Sequence, residues 1–138
     1  MEVGGKVRIN RPVDEVFDFV SDLRNEPYWW RGIKVSERVR GDGNVGTVYR
    51  QEARLLGSRA YVWNAEVTAW ERPYLQTIVG TGPLSYVCDY RFSTGTWLHL
   101  RAEAEPAPPW SRWGKALKPL LDMVMRQNLR RLGRVLAR

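Results

Sequence analysis

From Ile33 to Glu103 the sequence alternates almost continuously between apolar and polar residues. Turn residues such as Gly41-Asp-Gly43, Arg72-Pro73 and Gly80-Thr-Gly82-Pro83 interrupt this alternation about every 8–12 positions. Apolar side chains at every second position place one face of a strand against a core and leave the other face in water. The segment therefore predicts six antiparallel strands that form a sheet with one buried face.

A strand and two short helices are predicted before this segment. Val3 to Asn10 has the composition of a strand, and Pro12 suits the first turn of the helix that follows. Asp14 and Glu15 in that turn complement the positive end of the helix dipole. The apolar residues of this helix are spaced so that they share one face: Val13, Val16, Phe17, Val20 and Leu23. A second short helix or turn is predicted at Tyr28-Trp29-Trp30.

A long amphipathic helix is predicted at the end of the chain, after Pro106-Ala-Pro108-Pro109. Pro119 either begins this helix or kinks a longer one. The apolar residues fall within about 140° of its circumference, and Asn128 lies near the centre of that arc. The arc contains Leu117, Leu121, Val124, Met125, Leu129, Leu132, Val135 and Leu136. The element order predicts an α+β fold in a single domain over residues 1–138.

The net charge of +7 is concentrated in the predicted terminal helix. Residues 106–138 contain eight basic residues against Asp122 alone, while the rest of the chain is electrically balanced. Arg126, Arg130 and Arg134 lie opposite the apolar arc, which predicts a solvated basic stripe with weak attraction to anionic surfaces or acidic partners and no specific nucleic-acid binding. No segment has the roughly 20 apolar residues of a membrane span, and we expect a soluble, cytoplasmic protein.

Several familiar kinds of reactive site are not expected. Gly41, Gly43 and Gly46 spell a dinucleotide-binding fingerprint, but a strand follows them where that fingerprint needs a helix, so they predict a hairpin turn. His99 is the only histidine and shares a predicted outward face with Arg101 and Glu103, and Cys88, the only cysteine, is predicted to be a small buried apolar residue. The sequence therefore predicts no metal site and no cofactor. Acidic residues fall mostly on outer faces, so no inward carboxylate is expected.

The predicted concave face of the sheet is rich in aromatic residues that also carry polar atoms. Such atoms need hydrogen-bond partners when buried, and a few of them in an aromatic hollow are typical of a ligand pocket. Asn128 on the terminal helix would face the same space. The candidate ligand-binding residues are Trp29, Trp30, Tyr49, Gln51, Tyr61, Trp63, Tyr86, Tyr90, Met125 and Asn128.

The sequence resembles the START-like (SRPBCC) superfamily, in particular its polyketide cyclase/dehydrase-like branch. The resemblance rests on V-x-I-N-R-P-V-D-E-V-F-D-F-V-S-D-L from Val7, the following Trp, G-x-V-G-T before a strand, E-V-T at Glu66, Gly95-Thr96 and the final amphipathic helix. It implies a helix-grip fold, a seven-stranded curved sheet wrapped around the C-terminal helix with a hydrophobic cavity between them. It implies no catalytic residue, since the superfamily has none in common.

Two functions from different classes fit these observations. The first is the binding of a hydrophobic small molecule, such as a lipid, a quinone or an aromatic polyketide-like compound, in the internal cavity. The alternative is an aromatase/cyclase-type enzyme that holds a reactive polyketone in one conformation while tyrosine hydroxyls assist proton transfer. A third hypothesis, an interaction module that uses the basic helix, predicts salt-sensitive association with acidic partners.

Overall fold

The sheet is an antiparallel meander of six consecutive strands, and the first strand of the chain pairs with the last one at the edge of the sheet. In the computed structural model, which describes residues 1–54, 60–106 and 114–137, the strands are β1 (Glu2–Arg8), β2 (Ile33–Arg40), β3 (Val48–Arg54), β4 (Ala60–Glu71), β5 (Leu75–Thr81), β6 (Leu84–Ser93) and β7 (Trp97–Pro106). Their order in the sheet is β1-β7-β6-β5-β4-β3-β2. The helices are α1 (Val13–Ser21), a 3₁₀ turn (Leu23–Asn25), α2 (Glu26–Trp29) and α3 (Gly114–Leu136).

The alternation in the sequence matches the observed burial, which confirms the predicted α+β helix-grip architecture. On β7, Leu98 and Leu100 are buried while their neighbours Trp97 and His99 are exposed. On β3, Tyr49, Gln51 and Ala53 are buried in the same period of two. The sequence also predicts a turn at Gly57-Ser58, which lies outside the described residues.

The glycine-rich segment between β2 and β3 is a turn, as predicted. Gly41 has φ +93° and Gly43 has φ +108°, a conformation that glycine adopts without strain. The Gly43 N–H donates to Thr47 Oγ1 at 2.8 Å, which closes the turn. A strand, β3, follows the three glycines, so the segment has no helix N-terminus on which a nucleotide phosphate could bind.

Helix α1 packs on the concave face of the sheet through its apolar stripe. Phe17 makes edge-to-face contacts with Phe92 and Trp70, at ring-centroid distances of 5.4 and 5.7 Å. At the C-terminal end of α1, the Ser21 carbonyl accepts a hydrogen bond of 2.8 Å from Gln76 Nε2 on β5. This bond fixes where the chain leaves α1 and turns toward α2.

Helix α3 lies along β1 and contacts α2. Gly5 permits this close approach, since a Cβ there would lie 3.0 Å from Leu129 Cδ1. The Gly4 N–H, at the edge of the sheet, donates to Asp122 Oδ1 at 3.2 Å. Because α3 begins at Gly114, Pro119 lies inside the helix and does not start it.

The predicted two faces of α3 are observed. Met125, Asn128, Leu129 and Leu132 are buried, and the basic stripe of Arg126, Arg130 and Arg134 is exposed. Within the part of the chain that the structure describes, no helix is long and apolar enough to cross a membrane.

Candidate functional site

A row of hydrogen-bonded polar side chains crosses the concave face from β2 to β6. Gln51 donates from Nε2 to Ser36 Oγ at 3.0 Å, and its Oε1 accepts from Trp63 Nε1 at 3.0 Å. The same Trp63 N–H also lies 3.0 Å from Tyr86 Oη. Ser36, Gln51 and Trp63 are direct cross-strand partners, so the pairing register of the sheet sets this row.

The row reaches Tyr86 because β5 has a glycine at the crossing point. Gly80 pairs with Tyr86, and a Cβ on Gly80 would lie only 2.1 Å from Tyr86 Cε1. The tyrosine ring therefore occupies the space that any larger residue at position 80 would fill. This arrangement directs the Tyr86 hydroxyl across β5 to Trp63 on β4.

A carboxylic acid is buried beside this row, contrary to the expectation that no carboxylate points inward. Glu26 on α2 retains 4% of its exposure and hydrogen-bonds Gln51. Burial raises its pKa to about 8, and the hydrogen bond from Gln51 opposes that rise only in part. Glu26 is therefore mostly protonated at neutral pH, and the carboxylate becomes the main form only above about pH 8.

Spacing along the chain could have identified Glu26. Leu23, Glu26 and Trp29 follow one another at intervals of three residues, and all three are buried. Side chains at this interval share one face of a helix, so two buried apolar neighbours indicate that the residue between them also faces inward. In the sequence, however, Asn25-Glu26-Pro27 predicts an interruption of the first helix, which obscures this spacing.

Other ionisable groups in this region are held neutral. Burial, followed by the charge of Glu26, raises the pKa values of Tyr86 and Cys88 far above their ordinary ranges. Burial and Glu26 act on the pKa of Tyr90 in the same direction. The tyrosine hydroxyls in this region are consequently hydrogen-bond donors and acceptors and do not act as bases near neutral pH.

Two buried N–H donors on the helix side lack an acceptor among the described residues. They are Trp29 Nε1 and Asn128 Nδ2. The other end of the Asn128 amide is occupied, since Oδ1 accepts from the Arg31 N–H at 3.0 Å. Because buried donors are nearly always paired, with protein or with another molecule, this pair indicates a place for a hydrogen-bond acceptor.

The remaining candidate residues differ in their burial and in their place in the fold. Tyr90 and Met125 are buried in the core, and Trp30 and Tyr61 are half-buried, with Trp30 packing edge-to-face on Trp29 at 5.3 Å. Tyr49 is not part of the polar row: it lines a surface cleft of about 300 Å³ with Asp18, Asp22, Arg38 and Trp70. Trp29 is completely buried, whereas Trp30 remains partly accessible.

The polar row is closed over in this structure. Trp63 and Tyr86 are half-buried, while Gln51 and Glu26 behind them are almost inaccessible. The cleft near Tyr49 and a second one of about 410 Å³ on the outer face of β1 and β7 do not include the residues of the row.

His99 and Cys88 lie where the sequence placed them. His99 is exposed and lies beside Trp97, with ring centroids 6.5 Å apart, and Cys88 is a buried free thiol. Among the residues that the structure describes, no group of three or more His, Cys, Asp or Glu side chains could hold a metal ion.

Comparisons with known proteins agree with this architecture. A family model described as polyketide cyclase/dehydrase and lipid transport matches residues 1–137. A comparison with curated protein sequences finds no significant match.

Solved structures with similar folds share little sequence with this chain. A protein from Thermus thermophilus is 21% identical with a TM-score of 0.76, over 99% of this chain and 94% of that one. The Zhui aromatase/cyclase from Streptomyces sp. R1128 is 14% identical with a TM-score of 0.75, over 100% and 94%. The di-domain ARO/CYC StfQ from the steffimycin biosynthetic pathway is 11% identical with a TM-score of 0.75, and the match covers 96% of this chain but 49% of the longer one.

The similarity of these folds and the family match over nearly the whole sequence confirm the START-like (SRPBCC) resemblance, and the chain belongs to the polyketide cyclase/dehydrase and lipid transport family.

Proposed function

We propose that this protein binds a hydrophobic small molecule, such as a lipid, a quinone or an aromatic polyketide-like compound, between the concave face of the sheet and α3. The observation that carries the proposal is the polar row set among buried aromatic side chains, with Trp29 Nε1 and Asn128 Nδ2 as donors that lack an acceptor among the described residues. Burial of apolar surface would supply most of the affinity, and the donors would orient an oxygen of the ligand.

The half-buried aromatic residues support a route into the interior. Trp30, Tyr61, Trp63 and Tyr86 all retain some exposure, whereas the residues behind them do not. A ligand would move these rings aside and then pack against them. Binding should therefore change tryptophan fluorescence and be slower than diffusion allows.

The proposal is tested by displacement of a fluorescent apolar probe with a panel of fatty acids, quinones and aromatic polyketides, together with native mass spectrometry of the purified protein. Trp29→Phe keeps an aromatic ring but removes an N–H that would donate to the ligand. One lost hydrogen bond is worth about 0.5–1.5 kcal/mol, so we expect about 2- to 12-fold weaker binding. Trp97→Phe, on the exposed outer face, is the matched control and should bind like the wild type. Failure of the wild type to bind any member of the panel, with no co-purified molecule, would refute the proposal.

An aromatase/cyclase-type activity is the second candidate, and the buried acid Glu26 is the observation that favours it. An enzyme of this type needs a group that accepts and returns protons at neutral pH. Product analysis with a poly-β-ketone substrate would separate the candidates. A binding protein leaves the product ratio unchanged, whereas an enzyme alters it and loses that effect in Tyr61→Phe or Tyr86→Phe if tyrosines assist.

A further inference from the structure

Glu26 is the buried acid beside the polar row, and ligand binding alone does not account for it. Among the described side chains, no cation pairs with its carboxyl group, and its hydrogen-bond partner is the neutral amide of Gln51. A buried carboxyl without a cation opposes folding whenever it ionises. A glutamine or an apolar residue at position 26 would avoid that penalty.

The two donors that lack described acceptors belong to the same helix as the carboxyl group or to the helix that contacts it. Glu26 and Trp29 are three residues apart in α2, which places both side chains on the same face of the helix. Asn128 approaches from α3, and its amide is tied to the Arg31 N–H two residues beyond Trp29. Helices α2 and α3 contact each other, and they bury an acid–base group and two neutral N–H donors between them.

This combination has a specific chemical use. Removal of a proton from carbon next to a carbonyl needs a positioned base, and the negative charge that develops on the oxygen needs neutral hydrogen-bond donors in a dry site. A carboxylate base beside such donors is an established arrangement for enolisation.

We propose that Glu26 transfers protons on the carbon adjacent to the carbonyl group of a bound ring ketone, so that the protein interconverts keto and enol forms and shifts a neighbouring carbon–carbon double bond into conjugation. This inference rests on the proposed function, since the ketone must first occupy the interior site. It assigns a base to that site and restricts the substrate class to ketones with an acidic α-hydrogen.

The step requires no co-reactant. The Glu26 carboxylate takes the α-proton, the C–H electron pair forms a carbon–carbon double bond, and the carbonyl π pair moves to oxygen as an enolate. Trp29 Nε1–H and Asn128 Nδ2–H donate to that oxygen. In a β,γ-unsaturated ketone the Glu26 carboxylic acid then returns the proton to the γ-carbon, which gives the conjugated isomer and restores the carboxylate.

Other residues of the region are poorly suited to this role. Tyr86, Tyr90 and Cys88 are held protonated by burial and by the nearby Glu26 charge. His99 lies on the exposed outer face of β7, on the other side of the sheet. Glu26 is the acid among these groups whose proton can leave near neutral pH.

The test uses the full-length protein and a β,γ-unsaturated bicyclic ketone (an octalone), whose conversion to the conjugated enone is followed by ultraviolet absorbance. General base catalysis contributes about 10²–10⁴-fold, so Glu26→Gln should lower the rate by at least about 100-fold. Octalone binding, measured by displacement of the apolar probe, should remain. Wild-type activity should rise with pH and level off above about pH 8, because the carboxylate is the active form. Glu37→Gln, an exposed acid on β2, should match the wild type.

Glu26→Asp provides a second variant, because it keeps the carboxyl group but withdraws it by one methylene. It should retain activity between those of wild type and Glu26→Gln. If the wild type binds octalone without isomerising it, or if Glu26→Gln isomerises it at the wild-type rate, the inference is overturned while the binding function stands. If neither octalone nor any member of the ligand panel binds, the proposed function fails and this inference fails with it.

Discussion

The buried Glu26 carboxyl predicts that this protein becomes less stable as the pH rises from mildly acidic to mildly basic. Burial raises its pKa from an ordinary 4.5 to about 8 in the folded state. The folded protein therefore retains a proton that the unfolded chain releases, and stability is present below the unfolded pKa and lost as the pH rises through the folded one. At 1.36 kcal/mol per pKa unit, this group alone should lower the free energy of unfolding by about 2 to 3 kcal/mol between pH 5 and 7 and by about 4 kcal/mol between pH 5 and 9.

The measurement is urea denaturation followed by tryptophan fluorescence at pH 5, 7 and 9, for the wild type and for Glu26→Gln. Glutamine has nearly the same shape and cannot ionise, so the difference in unfolding free energy between the two proteins isolates the titration of Glu26. For a urea m-value of about 2 kcal/mol/M, the wild-type midpoint should fall by about 1 M relative to the variant between pH 5 and 7. Glu37→Gln, with an exposed acid removed, should parallel the wild type.

A difference between wild type and Glu26→Gln that stays constant within about 0.5 kcal/mol from pH 5 to 9 would refute the reasoning, because it would mean that Glu26 ionises normally in the folded protein. If the wild type instead gained stability relative to Glu26→Gln as the pH rose, a cation would be stabilising the Glu26 carboxylate. In both cases the assignment of Glu26 as a neutral buried acid would be wrong.

Three further predictions concern the packing of the sheet and of α3. Gly80→Ala would place a Cβ 2.1 Å from Tyr86 Cε1, so the ring must move and release Trp63. We expect the free energy of unfolding, measured by urea denaturation, to fall by about 1–3 kcal/mol. Gly133→Ala in α3, whose Cβ would lie 3.7 Å from Val7 Cγ2, should instead raise the free energy of unfolding by about 0.5–1 kcal/mol. Asp122→Ala leaves the Gly4 N–H at the sheet edge without its side-chain acceptor and should lower the free energy of unfolding by about 0.5–1.5 kcal/mol. Asp14→Ala is the control and should not cause this loss, since Asp122 is the described side chain that accepts from Gly4. Reversing Arg126, Arg130 and Arg134 to glutamate should remove salt-sensitive sedimentation with anionic vesicles, if the basic stripe binds them, and leave probe binding unchanged, since all three side chains are exposed.

Strand positions could be predicted from the sequence because burial on a pleated strand depends only on the period of two. Tyr61, Trp63 and Ala65 followed this rule on β4, as did Cys88 and Tyr90 on β6. The same rule fixes the face of a residue but not its place along that face. Tyr49 and Gln51 share the inner face of β3 yet lie two residues apart, roughly 7 Å, and they belong to different sites.

The inward position of Glu26 could not be obtained from residue type, since isolated acidic side chains are almost always exposed. Helical spacing from Leu23 to Trp29 carried the signal, but this segment changes from a 3₁₀ turn to α2 within a few residues and reads as a break. The contact of Tyr86 with Trp63 across Gly80 could not be predicted from the sequence either, because it depends on which residues pair across β4, β5 and β6.

The interior of this fold combines features that stability alone does not favour. Glu26 is buried without a described cation, and Trp29 Nε1 and Asn128 Nδ2 lack described acceptors. Each departs from the rule that buried polar groups are fully paired, and such departures concentrate at functional sites. All three lie on α2 or α3, whereas the other described buried side-chain atoms without a partner, Arg38 Nε, Tyr49 Oη and Gln76 Oε1, lie on strands outside the hydrogen-bonded polar row. These three groups are therefore on the helix side of the interior, where a bound molecule would find both its hydrogen-bond donors and its proton-transfer group.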